Sequence, residues 1–493
     1  MLTLLELSSI VGSGAVDTTG LPHPPWRIPF LGDLIGVHPR TPVQDTLRFG
    51  RGLGPIFTRK FFSRPIVIVQ GADLVGELAD EKRFAKHVGL GVRELRQIGG
   101  DGLFTAHNDE PNWQRAHDIL MPAFTQKSMQ GYHPVMVDVA RQLTAAWDAR
   151  AGGPPVDVAA DMTKLTLETI GQTGFGYSFG SFDRSEPHPY VSAMVGALRF
   201  AQRQVFYLPG ISKILGRKAI QRNAVDLATM NALVDDVIAE RSKPGAGQAQ
   251  DLLGLMLSVR HPETGERLDP LNIRYQVHTF LVAGHETTSG ALSFALYYLT
   301  RHPAALAQAQ AEVDRVWGDD PEPDPTFQQV TKLRYVRRVL DESLRLWPTA
   351  PAYFREARED TVIGGRLKMN KGDWVIVPLP LLHRDPTVWG DDPEAFEPDR
   401  FAPGRAKERP PHAYKPFGTG ERACIGRQFA IHEATLVLGL GLLLHRYELK
   451  PDPGYQLRVT ELLTVKPAGF TLEISRRDRS RDTAAAATAE SSA

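Results

Sequence analysis

Beyond residue 70 the apolar positions mostly recur three and four apart, the spacing of one helix face. This predicts helices over 73–85, 112–119, 132–151, 162–173, 188–206 and 219–241. The longest periodic run, 272–300, is ended by Pro303; at about 1.5 Å per residue it is long enough to cross the molecule. Segment 429–444 is apolar on nearly every side, which predicts a buried helix. Strand-like runs at 55–59 and 65–69 predict a hairpin, and a second mixed region, 361–379, carries short strands such as 374–377. Pro and Gly crowd 20–40, an extended entry segment, and no internal repeat is present. The pattern is mainly α with a smaller β-rich region, at about 48–75 and 355–380 plus C-terminal strands.

Composition narrows the class. The 493 residues would divide into about three domains on length alone, a rule that large single-domain folds break. Hydrophobic residues make up 42% and charged residues 23%, enough apolar material for a sizeable core. Basic and acidic residues number 57 each, so charge gives no reason to expect nucleic acid or an anionic membrane as partner. A single cysteine excludes an internal disulfide and fits a reducing compartment. Residues 1–16 lack the basic start of a signal peptide, and no apolar run reaches the roughly 18 residues of a membrane span. The expectation is a cytoplasmic protein with no membrane contact. Segment 476–493 turns arginine-rich and then into Ala, Thr, Ser and Glu, which predicts a disordered tail.

The lone cysteine, Cys424, lies in Phe417-Gly418-Thr419-Gly420-Glu421-Arg422-Ala423-Cys424-Ile425-Gly426, just before the buried helix. A sulfur at a helix N-terminus with Arg422 two residues upstream sits in positive potential, which favours the thiolate. The glycines allow sharp turns and close approach to a flat ligand. Such a thiolate suits a nucleophile or a metal ligand. Within the longest helix lies Ala283-Gly284-His285-Glu286-Thr287-Thr288, an acid and two threonines in an apolar interior. Threonine hydroxyls bonded one turn back, or a groove holding ligand and water, would each account for them. Glu342 and Arg345 stand three apart on one helix face, a spacing that on its own describes a weak surface pair.

Phe417, Gly420, Arg422, Cys424 and Gly426 match F-x-x-G-x-R-x-C-x-G, and the chain resembles the cytochrome P-450 family. The resemblance implies that family's fold, haem b with Cys424 as the axial thiolate of its iron, Arg422 on a haem propionate, and Phe417 packed near the sulfur. It further implies that A-G-x-E-T-T is the oxygen-activating motif. There Thr287 and Glu286 relay protons, a task needing a carboxylate with solvent access, and Ala283 faces the cofactor. Trp113 and His117, with Lys86 as a third contact, fall where the family meets the propionates; read alone, His117 and Lys86 fit an amphipathic surface equally well. Glu342, Arg345 and Arg400 would form a buried structural network.

The likeness is closer to the haem domains of self-sufficient bacterial fatty-acid hydroxylases, flavocytochromes of this family. It rests on Gly102-Leu103-Phe104-Thr105, Asn112-Trp113, Tyr132-His133, residues 283–290, residues 345–352 and Ala430-Ile431-His432-Glu433-Ala434-Thr435. It implies one haem-binding domain over 20–475 after an extension, 1–19. Phe104 would steer the reacting carbon, Ala350 and Leu463 would line the substrate pocket, and Arg64 would meet a carboxylate at the channel mouth. Two departures stand out. Ile68 replaces the tyrosine that partners this arginine, and no flavin domain follows before Ala493. Electrons from NAD(P)H are therefore expected through a separate reductase, ferredoxin or flavodoxin.

The expected function is hydroxylation of C–H bonds in medium- to long-chain fatty acids or related lipophilic molecules, using O2. A peroxide-driven peroxygenase and a non-catalytic haem- or lipid-binding sensor are the alternatives. Three other patterns carry little. Gly418-x-Gly420-x-x-Ala423 lacks the preceding strand and later acid of a dinucleotide site. His285-Glu286 and His432-Glu433 lack the second histidine of a zinc site. Gly176-Tyr177-Ser178-Phe179-Gly180 lacks the strand–turn–helix setting of a hydrolase nucleophile.

Overall fold

The computed structural model describes residues 16–477 apart from 30–31, 34–35, 37, 39, 62–63, 205–215, 244–250, 321 and 437–439. The expected tail beyond 477 and most of the extension before 20 lie outside the described residues.

The helical spacing is realised in α1 (Pro111–Leu120), α2 (Gln126–Asp148), α3 (Val158–Phe175), α4 (Pro189–Gln204), α5 (Arg217–Arg241), α6 (Pro270–Arg301), α7 (Arg334–Leu346) and α8 (Arg427–Leu436). Helix α6 begins at Pro270, where a missing N–H costs nothing, and the Asp269 side chain accepts from the Asn272 amide. Its successor starts at Pro303, so the two helices stay separate. Helix α6 is buried on most sides, packing on α3, α5, α7 and α8, and the main apolar core forms around it. The apolar stretch expected as one helix over 429–444 comprises α8 and a further helix, Leu440–Arg446.

Strands from both β-rich stretches join in one five-stranded sheet, while Thr361–Ile363 and Leu367–Met369 pair separately. Strands β1 (Ile56–Phe61) and β2 (Arg64–Val69) form the predicted antiparallel hairpin. Strand β5 (Trp374–Pro378) runs parallel to β2 and antiparallel to β4 (Ala352–Ala357), which pairs with β3 (Phe84–Lys86) at the edge. Side chains alternate across the pleat. Ile56, Val67 and Val69 face one apolar cluster with Phe84 and Val375, whereas Phe57 and Ile68 face another with Leu381.

The helix predicted over 73–85 is corrected. It stops at Leu78, and Phe84–Lys86 is a strand. Phe84 is fully buried under the sheet, so strand pairing with Ala357 outweighs the local helical spacing. A hairpin of β6 (Val459–Glu461) and β7 (Val465–Pro467) packs β7 against α6.

Candidate active site

A cavity of about 340 Å³ is lined by the Cys424 loop and by residues of α6. That volume lies within the range of small-molecule sites. The loop is shaped by backbone bonds: the Cys424 amide donates to Phe417 O (2.9 Å) and the Ala423 amide to Gly420 O (3.0 Å). Gly420 has φ +70°, and a Cβ there would strike the Glu81 carboxylate, so this turn requires glycine. The Cys424 sulfur opens onto the cavity, not onto bulk water. Burial pushes its thiol up, while the Gly426 N–H and Arg427 pull the other way. The expected effect of Arg422 on the sulfur is therefore corrected. Its guanidinium turns to Ala106 O (2.7 Å) and Asn108 Oδ1 (3.3 Å), and Arg427 is the cation acting on the thiol.

On α6, Ala283 and Thr287 line the cavity, and the Thr287 hydroxyl donates to Ala283 O at 2.8 Å. The groove and the bond one turn back, offered as alternatives by the sequence, coexist. Phe104 and Ala350 also line it.

Arg422, Lys86, Trp113, His117 and Phe417 all reach the same cavity. Arg422 lies 4.5 Å over the Trp113 ring, which stacks on His117. Lys86 donates to Phe104 O and lies 4.9 Å over the Phe104 ring. Neither Lys86 nor Arg422 has a carboxylate within ion-pair distance among the described residues, and the buried Arg422 Nε has no hydrogen-bond partner. Burial, with Arg422 as a like charge nearby, holds Lys86 well below the ordinary lysine range; burial also lowers Arg422 to about 10. Two unpaired cations, a sulfur and an apolar wall fit a flat ligand bearing carboxylates and a metal. These residues therefore fit haem.

Glu286 departs from expectation. It is 8% exposed and its carboxylate is directed away from the cavity. Lys466 Nζ lies 3.0 Å from Oε2, the Thr464 hydroxyl donates to Oε2 at 3.2 Å, and His285 Nε2 lies 3.2 Å from Oε1. Burial alone would raise the carboxyl, but Lys466 and His285 outweigh it and hold it far below the usual carboxylate range. The expected solvent access is absent, because the side chain leaves α6 toward β7. Leu463 is half-buried and does not line the cavity, a further correction: its turn carries Thr464 inward to Glu286 instead. Ile68 is buried against Phe57 and Leu381, on a sheet face rather than a channel mouth. The side chain of Arg64 lies outside the described residues.

Glu342, Arg345 and Arg400 do meet. Both carboxylate oxygens of Glu342 accept from Arg345, at 2.7 Å each, and Arg400 Nε lies 3.5 Å from Oε1. Glu342 and Arg345 are fully buried, so the weak-surface-pair reading of their spacing is replaced by an interior one. The sequence reading missed Lys466 and Thr464. Nothing local marks them, since Lys466 stands 180 positions from Glu286 (466 less 286) on a short strand. His285 was visible only as half of a zinc pattern.

The cytochrome P450 family profile matches residues 22–474. The chain is 48% identical, over 92% of its length, to a bifunctional cytochrome P450/NADPH–P450 reductase of Bacillus cereus, covering 42% of that protein. It is 49% identical over 88% of its length to bifunctional enzyme 2 of Bacillus subtilis, covering 40%. It is 39% identical over 92% to a self-sufficient cytochrome P450 monooxygenase of Phanerodontia chrysosporium, covering 42%. The chain thus spans about two-fifths of the length of these relatives. Among the described residues no helix is long and apolar enough to cross a membrane. With a family profile over nearly the whole chain, and Cys424 in a cavity that fits haem, this chain belongs to the cytochrome P450 family.

Proposed function

We propose that the chain is a haem-thiolate monooxygenase that hydroxylates C–H bonds of medium- to long-chain fatty acids or related lipophilic molecules, with O2 and electrons from NADPH. The observation that carries this reading is that Cys424 and the Ala283–Thr287 face of α6 line one apolar cavity. Haem, when bound, supplies activation of O2. The chain's own residues do the rest. Cys424 would hold the metal, while Arg422, Lys86, Trp113 and His117, which line the same cavity, would receive the cofactor's carboxylates. Phe417 shields the sulfur side, and Phe104, Ala283 and Ala350 shape the space for an apolar chain and exclude water. Thr287 presents a hydroxyl at the cavity and passes a proton there, with Glu286 as the acid behind it. Glu342, Arg345 and Arg400 hold the surrounding core.

The fatty-acid preference rests on resemblance and on the apolar lining. With Ile68 in the core, a carboxylate anchor at Arg64 has no second partner from that position. The relatives' names support an NADPH–P450 reductase as electron source.

The test is the reduced-CO difference spectrum of the haem-loaded protein. The wild type should show the band diagnostic of thiolate ligation, and Cys424→Ser should lose it. A variant spectrum identical to wild type would overturn the reading. Product formed with hydrogen peroxide alone and none with a reductase would select the peroxygenase; no product with either would select the sensor. Haem spin-state titrations with fatty acids, alcohols and amides of matched length then rank the substrates.

A further inference from the structure

The turn that carries Phe104 into the cavity is held by cations. Residues 101–110 join the short helix Arg96–Gly99 to α1 without a helix or strand of their own. The amides of Thr105 and Ala106 both donate to Gly102 O, at 3.1 and 2.9 Å, and the Leu103 amide donates to Gln276 of α6 at 3.0 Å. No backbone amide among the described residues donates to the three successive carbonyls of Phe104, Thr105 and Ala106. Each accepts from a different cation instead: Phe104 O from Lys86 of β3, Thr105 O from Arg96 at 2.7 Å, and Ala106 O from Arg422 of the Cys424 loop at 2.7 Å. Phe104 itself is 38% exposed, and its ring forms part of the cavity wall with Lys86 4.9 Å over it. A ring so little packed takes its place from the backbone beneath it, and charge-assisted hydrogen bonds, about twice as strong as neutral ones, fix that backbone.

The three cations are not equivalent. Lys86 and Arg422 line the cavity and have donors to spare. An ammonium carries three N–H groups and a guanidinium five, so each can keep its carbonyl and still receive a carboxylate of the cofactor. Arg96 does not line the cavity. Its Nη1 is shared between Thr105 O and Glu110 Oε2 (2.8 Å), and its Nη2 donates to Glu110 Oε1 (2.6 Å). Glu110 stands directly before α1 and also accepts from the His107 amide at 2.7 Å. Two parallel bonds to one carboxylate fix the plane of the guanidinium, and with it the direction of the bond to Thr105 O.

We propose that Arg96 is a positioning residue for substrate oxidation: by holding Thr105 O between the two cations that serve the cofactor, it sets where the Phe104 ring stands and hence which carbon of an apolar chain is hydroxylated. This rests on the monooxygenase reading above. Lys86 and Arg422 tie the carbonyls on either side to the groups that receive the cofactor, so the turn is registered against the cofactor at both neighbours and against the fold at Arg96. Such fixing matters because a misplacement of about 1 Å can change a rate by about a hundredfold.

The experiment compares Arg96→Met and Arg96→Lys, each with Phe104 intact and combined with Phe104→Ala, using dodecanoic acid as the probe. It reads the ratio of hydroxylated positions formed by the haem-loaded protein with a competent reductase. Separately it reads the fluorine NMR signal of a para-fluorophenylalanine placed at position 104 of the haem-free protein. Arg96→Met should change the ratio of the two main products by at least about threefold and should move or split the fluorine signal, with the reduced-CO band of thiolate ligation unchanged. Arg96→Lys, which keeps a cation for Thr105 O but loses the fork, should fall between Arg96→Met and wild type. Combined with Phe104→Ala, Arg96→Met should leave the product ratio where Phe104→Ala alone puts it, because the ring through which it acts is gone. A general loss of stability would lower the yield in both backgrounds and would not vanish with the ring. A wild-type fluorine signal and product ratio in Arg96→Met, or an equal change of ratio with and without the ring, overturns the proposal and leaves the monooxygenase reading standing. No oxygen-dependent product from the wild type overturns that reading instead, and the fluorine signal then decides alone whether Arg96 places the ring. Should Arg96→Met fail to take up haem, Glu110→Gln weakens the fork while Arg96 keeps Thr105 O, and should move the signal and the ratio in the same direction by less; no movement there overturns the proposal.

Discussion

Arg345 is fully buried and Arg422 half-buried, yet the first is completely paired and the second is not. All five N–H groups of Arg345 are used: two on Glu342, and three on the carbonyls of His383, Pro393 and Ala395. Arg400 adds a second cation to Glu342 and donates to Trp389 O and Asp392 O. Arg422, with Lys86 beside it, meets carbonyl and amide oxygens at the cavity; Glu421 also lines it, but no carboxylate among the described residues lies within ion-pair distance of either cation. Burying a charge is costly in both places. In the first region the fold supplies the counter-charge itself, so the cost is offset internally and the residues serve structure. In the second, no carboxylate among the described residues comes within ion-pair distance of either cation, which leaves both able to receive an anionic ligand.

The largest effect should come from breaking the paired region. Arg345→Ala leaves the buried Glu342 with the Glu397 amide (2.8 Å) and the longer contact to Arg400 (3.5 Å), and should cost about 3–5 kcal/mol. Denaturant unfolding and the fraction of protein that takes up haem are the measurements; a loss below about 1 kcal/mol would mean that the pair is replaceable by packing. Arg422→Leu should behave in the opposite way. The haem-free protein should be as stable as wild type or more so, because a half-buried cation without an ion-pair partner among the described residues is removed. Haem should transfer to an acceptor apoprotein about tenfold to a hundredfold more readily, the equivalent of about 1.5–3 kcal/mol for a charged hydrogen bond. Equal destabilisation of the haem-free protein would erase the distinction between the two regions.

Lys86 gives the smallest and most specific signal. Burial and Arg422 place its folded value below the ordinary 10.5, so the unfolded chain binds more protons in that interval. Stability of the haem-free protein should therefore rise with pH toward about 10.5 and stop gaining above it. Lys86→Met should flatten that rise, and bound haem should reduce it. A slope unchanged in Lys86→Met would assign the pH dependence to other groups.

The helices were legible because their apolar spacing is local, and α6 was found to within a few residues at each end. Strand β3 was not, because Phe84–Lys86 becomes a strand only when β4, far along the chain, arrives to pair with it. The same division holds at the site. The Cys424 loop, Thr287, Phe104, Trp113 and Arg422 stand in recognisable runs of sequence, and the structure brings them to one cavity. Glu286 stands in such a run as well, yet the direction of its side chain could not be read from it.

The amino-acid sequence by itself determined the helical architecture, the family and the residues that meet at the cavity, because short-range spacing and a ten-residue motif carry that information. Tertiary structure alone decided that Arg345 is internally neutralised while Arg422 is not, and that Glu286 is bound by Lys466 outside the cavity. Charge pairing depends on which distant side chains share a low-dielectric space, and no local pattern records that distance.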